Sequence, residues 1–136
     1  MILPAFVFPV AGCDAETKRD ATALVGAVDR YRRASNEEKP SRVDPIAAVV
    51  VHDPELVATK ATCLEAAQSF ARGLAKKRDV EKALHRIETK ELASDSAEAA
   101  ALPGTLDEAA KLVETGHAAM GRCEERTDLL RKKYGL

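Results

Sequence analysis

Residues 105–134 read TLDEAAKLVETGHAAMGRCEERTDLLRKKY. Within them Leu106, Ala109, Val113, Gly116, Met120, Cys123, Thr127, Leu130 and Tyr134 recur at alternating spacings of three and four. That is the period of a helix with one apolar seam, sustained over about four heptads. Thr105 offers a hydroxyl N-cap, and Glu108 three residues later completes a capping box. Arg131, Lys132 and Lys133 fall in the last turn, where cations complement the helix dipole. The seam predicts Leu106, Val113, Met120 and Leu130 on the buried side and Glu108, Lys111, Glu125 and Lys132 on the solvent side. Such a seam serves equally for packing within one chain and against a partner helix.

Upstream of this helix the composition changes. Residues 94–104 hold Ser94-Asp95-Ser96, a run of alanines and Leu102-Pro103-Gly104, and they read as a linker. Before the linker, Asp53-Pro54 gives an N-cap followed by proline at the first helical position. The helix it starts carries Leu56, Cys63, Ala67, Phe70 and Leu74 on one face. Lys76-Lys77-Arg78-Asp79 interrupts the apolar phase, which resumes at Val80, Ala83, Leu84 and Ile87, so the helix bends there or continues to about Leu92 with a rotated face. Further upstream, Asp14 to about Asn36 reads as a first helix with Ala21, Leu24, Val25, Val28 and Tyr31 on its apolar face. Asp44-Pro45 repeats the cap signal before a short helix at Ile46–Val51. The β-branched Val49-Val50-Val51 has no second strand to pair with. The expected fold is therefore all-α, a small bundle of three main helices plus one short helix, formed as one domain by residues 13–136. Glu65-Ala66-Ala67…Gly73 and Glu108-Ala109-Ala110…Gly116 echo each other, but four identities in nine, mostly Ala, do not make a repeat in so biased a chain.

The whole chain has 136 residues, 32% of them charged, with a formal net charge of −1. That balance carries no single-sign field for nucleic acid, and no nucleic-acid partner is expected. Tryptophan is absent and aromatic residues are few, so the core must be thin, built from Ala, Leu and Val. Ala-rich helix faces allow close approach of helices.

Chemistry leaves few marks. The chain lacks a GxGxxG fingerprint, a phosphate-binding Gly-Lys-Ser/Thr loop, a Gly-x-Ser-x-Gly elbow and a Cys-x-x-Cys pair. Glu114-x-x-His117 has the spacing of a metal-binding bundle motif, but such sites need two of these motifs and two more glutamates. Glu81 and His85 are four apart, and His117 falls beside the seam, so it reads as a boundary or surface histidine. His52 precedes the Asp53 cap and His85 lies in a charge-rich stretch. We expect no catalytic residue, no cofactor, no metal and no enzymatic activity.

The N-terminus is different in kind. Twelve residues without a charge end in Val10-Ala11-Gly12-Cys13, followed by Asp14. This resembles the lipobox of bacterial lipoproteins, in which an aliphatic and two small residues precede a lipidated cysteine. The resemblance covers residues 10–13 and implies a signal segment at residues 1–12 and lipid on Cys13. It implies a membrane anchor through that lipid, a periplasm-facing place in the cell envelope, and action on a protein partner that it does not name. The stretch carries no Lys or Arg before Lys18, and Pro4 and Pro9 interrupt it. A second reading therefore stands beside the first, a cytoplasmic helical adaptor with residues 1–12 as a docking arm and the last helix as a partner-binding seam.

Cysteine arithmetic depends on which reading holds. Lipid on Cys13 leaves an even pair, Cys63 and Cys123, suited to a bridge in an oxidising compartment. In a reducing compartment all three are small buried thiols. Geometry opposes the bridge if the second helix turns tightly into a third that starts at Thr105. Cys123 is then level with about Leu74, roughly 16 Å from Cys63 at 1.5 Å rise per residue. A Cys63–Cys123 bridge requires the linker to climb back along the bundle or the helix to break near Asp79. Cys13 is the competing partner for Cys123.

Overall fold

Asp53 closes the start of the longest uninterrupted contact in the chain. Its carboxylate accepts hydrogen bonds from the Glu55 and Leu56 amides at 3.0 and 3.3 Å, and Pro54 follows as the first helical residue. The computed structural model describes residues 11–136, with side chains from Asp14 onward. Its elements are α1 (Ala11–Arg33), a 3₁₀ turn (Lys39–Arg42) that runs into α2 (Val43–Ala47), α3 (Pro54–Glu88) and α4 (Ala97–Tyr134). Among the described residues there is no strand, and the fold is the expected all-α bundle of three long helices and one short one. Residues 1–10 lie outside the described residues. So does the Cys13 side chain, and the lipobox reading of Val10–Cys13 with it.

Helix α3 runs unbroken through Lys76–Asp79. The largest departure from the sequence reading lies beyond it. Residues 94–104 are not a linker, and Thr105 does not cap a helix. Ser96 is the N-cap, its hydroxyl oxygen accepting from the Ala99 amide at 3.1 Å, and α4 starts at Ala97. Pro103 sits inside α4, where it forfeits its bond to the Ala99 carbonyl. The alanines around it are the strongest helix formers, and Glu98 in the first turn is fastened to Arg86 of α3 at 2.8 Å. Thr105 is a mid-helix residue whose hydroxyl donates to the Ala101 carbonyl at 3.2 Å. Glu108 pairs with Lys76 across the hairpin at 2.9 Å instead of completing a capping box.

Residues 89–96 then make the turn, with Lys90 at a φ of 60° and Leu92 buried at the tip. Ala93, midway between Cys63 and Cys123, falls in this turn, so the two cysteines stand level in an antiparallel α3–α4 hairpin. The helices approach closely because the facing residues are small. A Cβ on Gly116 would come within 2.9 Å of the Phe70 amide nitrogen, and one on Gly73 within 3.0 Å of the Ala109 carbonyl. Both contacts are to backbone and leave no room for a side chain.

The buried seam of α4 is consequently Ala109, Gly116, Cys123 and Leu130, one residue per heptad, flanked by Ala119 and Thr127. Leu130 is fully buried, but Leu106 is 47% exposed, and Val113 and Met120 are only half-buried. Glu108, Lys111, Glu125 and Lys132 are exposed as expected. The seam is internal to the chain, so it is core and not a free partner surface.

Helix α1 already includes Ala11, the first described residue and earlier than Asp14, and ends at Arg33, before Asn36. It lays Leu24, Val28 and Tyr31 against Leu56, Cys63 and Leu130 of the hairpin. Two ion pairs fix it to α4: Asp29–Arg131 at 2.5 Å and Arg32–Glu124 at 3.0 Å. Its last carbonyls are capped from outside by Lys39, whose ammonium donates to Tyr31, Arg32 and Ala34 at 3.3, 3.3 and 2.6 Å. The expected Ile46–Val51 helix is displaced. The 3₁₀ turn feeds straight into α2, Asp44 and Pro45 lie inside it, and it stops at Ala47. Val49 and Val51 leave the helix and pack on the core. The shared core reaches no further along the hairpin than Ala67 and Met120. Beyond that point α3 and α4 hold each other, through Gly73 against Val113, buried Val80 and Ala83, and the two ion pairs named above.

Leu130→Ala should cost roughly 2–5 kcal/mol, whereas Leu106→Ala should cost below about 1 kcal/mol. Gly116→Ala should destabilise by about 1–3 kcal/mol through overpacking, against the ~1 kcal/mol that alanine gains in helix propensity. Urea unfolding of the oxidised protein measures all three, and a stabilising Gly116→Ala would show that the close approach is not tight.

Candidate functional site

The sequence placed two roles on cysteines. Cys63 and Cys123 form a disulfide with their Cα atoms 4.8 Å apart, and both are fully buried. The longer α4 removes the expected offset between them. Cys13 is therefore not the partner of Cys123. Enclosed by apolar side chains and oxidised to a bridge, neither sulfur is a nucleophile. The pair acts as a staple between the two long helices.

The histidines do not converge. His52 and His85 are exposed, and the His85 Nδ1 lies 3.9 Å from Glu88. His117 is exposed and meets the edge of Phe70 with ring centroids 5.0 Å apart. No group of three or more His, Cys, Asp or Glu among the described residues could hold a metal. The basic runs are largely committed to partners. Lys76 holds Glu108, Arg78 donates to the Asn36 carbonyl at 3.4 Å, and Lys133 holds Glu55 at 2.7 Å. The Lys76 hydrogen bond lowers the Glu108 pKa, and the Glu55 hydrogen bond raises that of Lys133. Asp29 likewise raises the pKa of Arg131, keeping it charged.

A concave site lies beside these groups. Where the end of α1 crosses the hairpin, a cleft of about 680 Å³ opens, within the size range of small-ligand sites. Helix α1 supplies Asp29, Arg32 and Arg33; α3 supplies Phe70; α4 supplies His117, Met120 and Glu124. Lys39 closes one side, its ammonium 5.3 Å from the centre of the Tyr31 ring. Tyr31 also lines the cleft, yet its hydroxyl is buried and has no hydrogen-bond partner. A buried unpaired hydroxyl costs about 1–3 kcal/mol, so it stands out in a structure this economical. Burial pushes the phenol up to about 12, which keeps it a proton donor at neutral pH.

Sequence reasoning missed this site. Tyr31 reads there as one more apolar position on α1. The available signal was a hydroxyl-bearing aromatic at a helix end flanked by Arg30, Arg32 and Arg33. No family model, curated protein or solved structure matches the chain.

Replacing Cys63 and Cys123 together by Ala should lower stability by about 4 kcal/mol in the chain-entropy model. Denaturant titration of the double variant beside the parent measures it, and a loss under about 1 kcal/mol would show that the bridge constrains little. Tyr31 gives a pH dependence of definite sign. Its phenol keeps the proton to higher pH when folded than when unfolded, where its value is 10.0. The stability linked to it is full below about pH 10 and is lost as pH rises toward 12. Across this range the parent should lose stability that Tyr31→Phe keeps, so the two unfolding curves should diverge as pH rises, and parallel curves would contradict the burial of the phenol.

Proposed function

We propose that the chain is a lipid-anchored helical protein of the bacterial envelope, tethered through Cys13 and acting through protein contacts. The observation that carries this reading is the pairing of Cys63 with Cys123. It leaves Cys13 as the odd cysteine of three, directly after Val10-Ala11-Gly12. Disulfides persist in oxidising compartments, and a lipobox-like sequence is addressed to such a compartment, so two independent features agree on place. No helix among the described residues is long and apolar enough to cross a membrane, so a lipid on Cys13 would supply the anchor. A diacylglyceryl group provides the two chains that stable anchoring needs.

The hairpin beyond the shared core suits the contact role. It carries Leu84 and Leu106, each about half exposed, on a part of the molecule that rests on no other described helix. The projecting end would reach a partner while the N-terminal end stays at the membrane.

Cys13→Ser expressed in a bacterium with lipoprotein processing should move the protein from the membrane pellet to the soluble fraction. The parent should lose residues 1–12 and gain the mass of a lipid on Cys13. Unchanged fractionation of the variant, or an unmodified Cys13 in the parent, would refute the anchor and leave the cytoplasmic adaptor reading in its place.

A further inference from the structure

The cleft between α1 and the hairpin combines features that ordinary packing does not require. Phe70 and Met120 give it an apolar stretch of wall. Its rim is cationic. Arg131 and Arg32 are already paired with Asp29 and Glu124, and Lys39 is turned onto the α1 carbonyls. Arg33 has no ion pair among the described residues and faces the cleft. Tyr31 lines the cleft beneath Lys39, and its hydroxyl, buried in this structure, is a donor without an acceptor.

We propose that this cleft binds a small organic acid with a flat aromatic body, its carboxylate on Arg33 and an oxygen of the ligand accepting from the Tyr31 hydroxyl. The body lies against Phe70 and the polarizable Met120, where sulfur and ring edges favour aromatic contact. Four cationic side chains line the cleft against two carboxylates, and both carboxylates are already held, so the site favours an anion. A ligand oxygen at Tyr31 would satisfy the one buried side-chain donor left unpaired among the described residues. Lys39 is the cover. Its long side chain lies over the Tyr31 ring, and for the ligand to reach the hydroxyl it would have to leave the carbonyls it caps at the end of α1. The site is independent of any lipid on Cys13 and needs no anchored protein to test.

The experiment uses 2-naphthoate as probe and 2-naphthalenemethanol as its neutral counterpart, with the protein oxidised and its methionine methyl groups labelled with carbon-13. The Met120 signal, assigned through Met120→Leu, reports the cleft directly. Naphthoate should move that signal saturably, with at least about tenfold tighter binding than the alcohol, as expected of one charge-assisted hydrogen bond. Arg33→Gln should remove that preference, since an exposed side chain is replaced and the fold is untouched. Tyr31→Phe should weaken naphthoate several-fold while its thermal melt stays within a few degrees of the parent. A Met120 signal that does not move, equal affinity for acid and alcohol, or unaltered affinity in both variants would each overturn the proposal.

Discussion

Everything in this molecule depends on how closely α3 and α4 approach. The cysteine Cα atoms are 4.8 Å apart, within the span of about 4.4–6.8 Å that a disulfide needs. That distance requires small residues beside the bridge, and Ala66, Ala67, Ala119 and Gly116 supply them. The bridge and the small-residue seam are thus one feature. The disulfide draws the helices together only where nothing stands between them, and the glycines can be buried only because the helices meet there. Helix α1 then has a firm surface to cross, and the cleft exists because α1 ends partway along that surface.

The bundle was legible from sequence in its essentials. Three helical stretches, the Asp53 cap and the apolar face of α1 followed from periodicity and cap chemistry. The errors have physical causes. Pro103-Gly104 looks like a break because proline in a helix interior costs about 3 kcal/mol. The Ala-rich turns on its N-terminal side, the Ser96 cap and the Arg86–Glu98 pair outweigh that cost. The same misreading made the Cys63–Cys123 bridge look strained, since it shortened α4 by two turns. A second error came from looking for large residues in the seam. Size and hydropathy point to Leu106 and Val113 over Ala109 and Gly116, yet in a tightly approached pair the small positions are inside.

A weak signal had pointed the right way. The echo of Glu65-Ala66…Gly73 by Glu108-Ala109…Gly116 is too Ala-biased to count as a repeat, yet it has a structural counterpart. Ala66, Gly73, Ala109 and Gly116 are all buried, and both glycines lie against the backbone of the facing helix. Two helices that pack through small residues need them at one-heptad spacing, whether or not they share an origin. The cleft was not legible at all, because it is assembled from α1, α3, α4 and the Lys39 turn, and no local pattern announces such a convergence.

The position of the bridge also sets what a protease can do. Cys63 and Cys123 close a covalent ring that contains the whole outer hairpin, including the exposed turn around Ala93. A cut in that turn severs the backbone but not the molecule, since both fragments remain joined through the sulfurs and through most of the α3–α4 seam. Nicked and intact protein would migrate together until reduced. The turn is accordingly a point at which foreign sequence could be spliced in, or the chain opened to new termini, with the crossing of α1 left undisturbed.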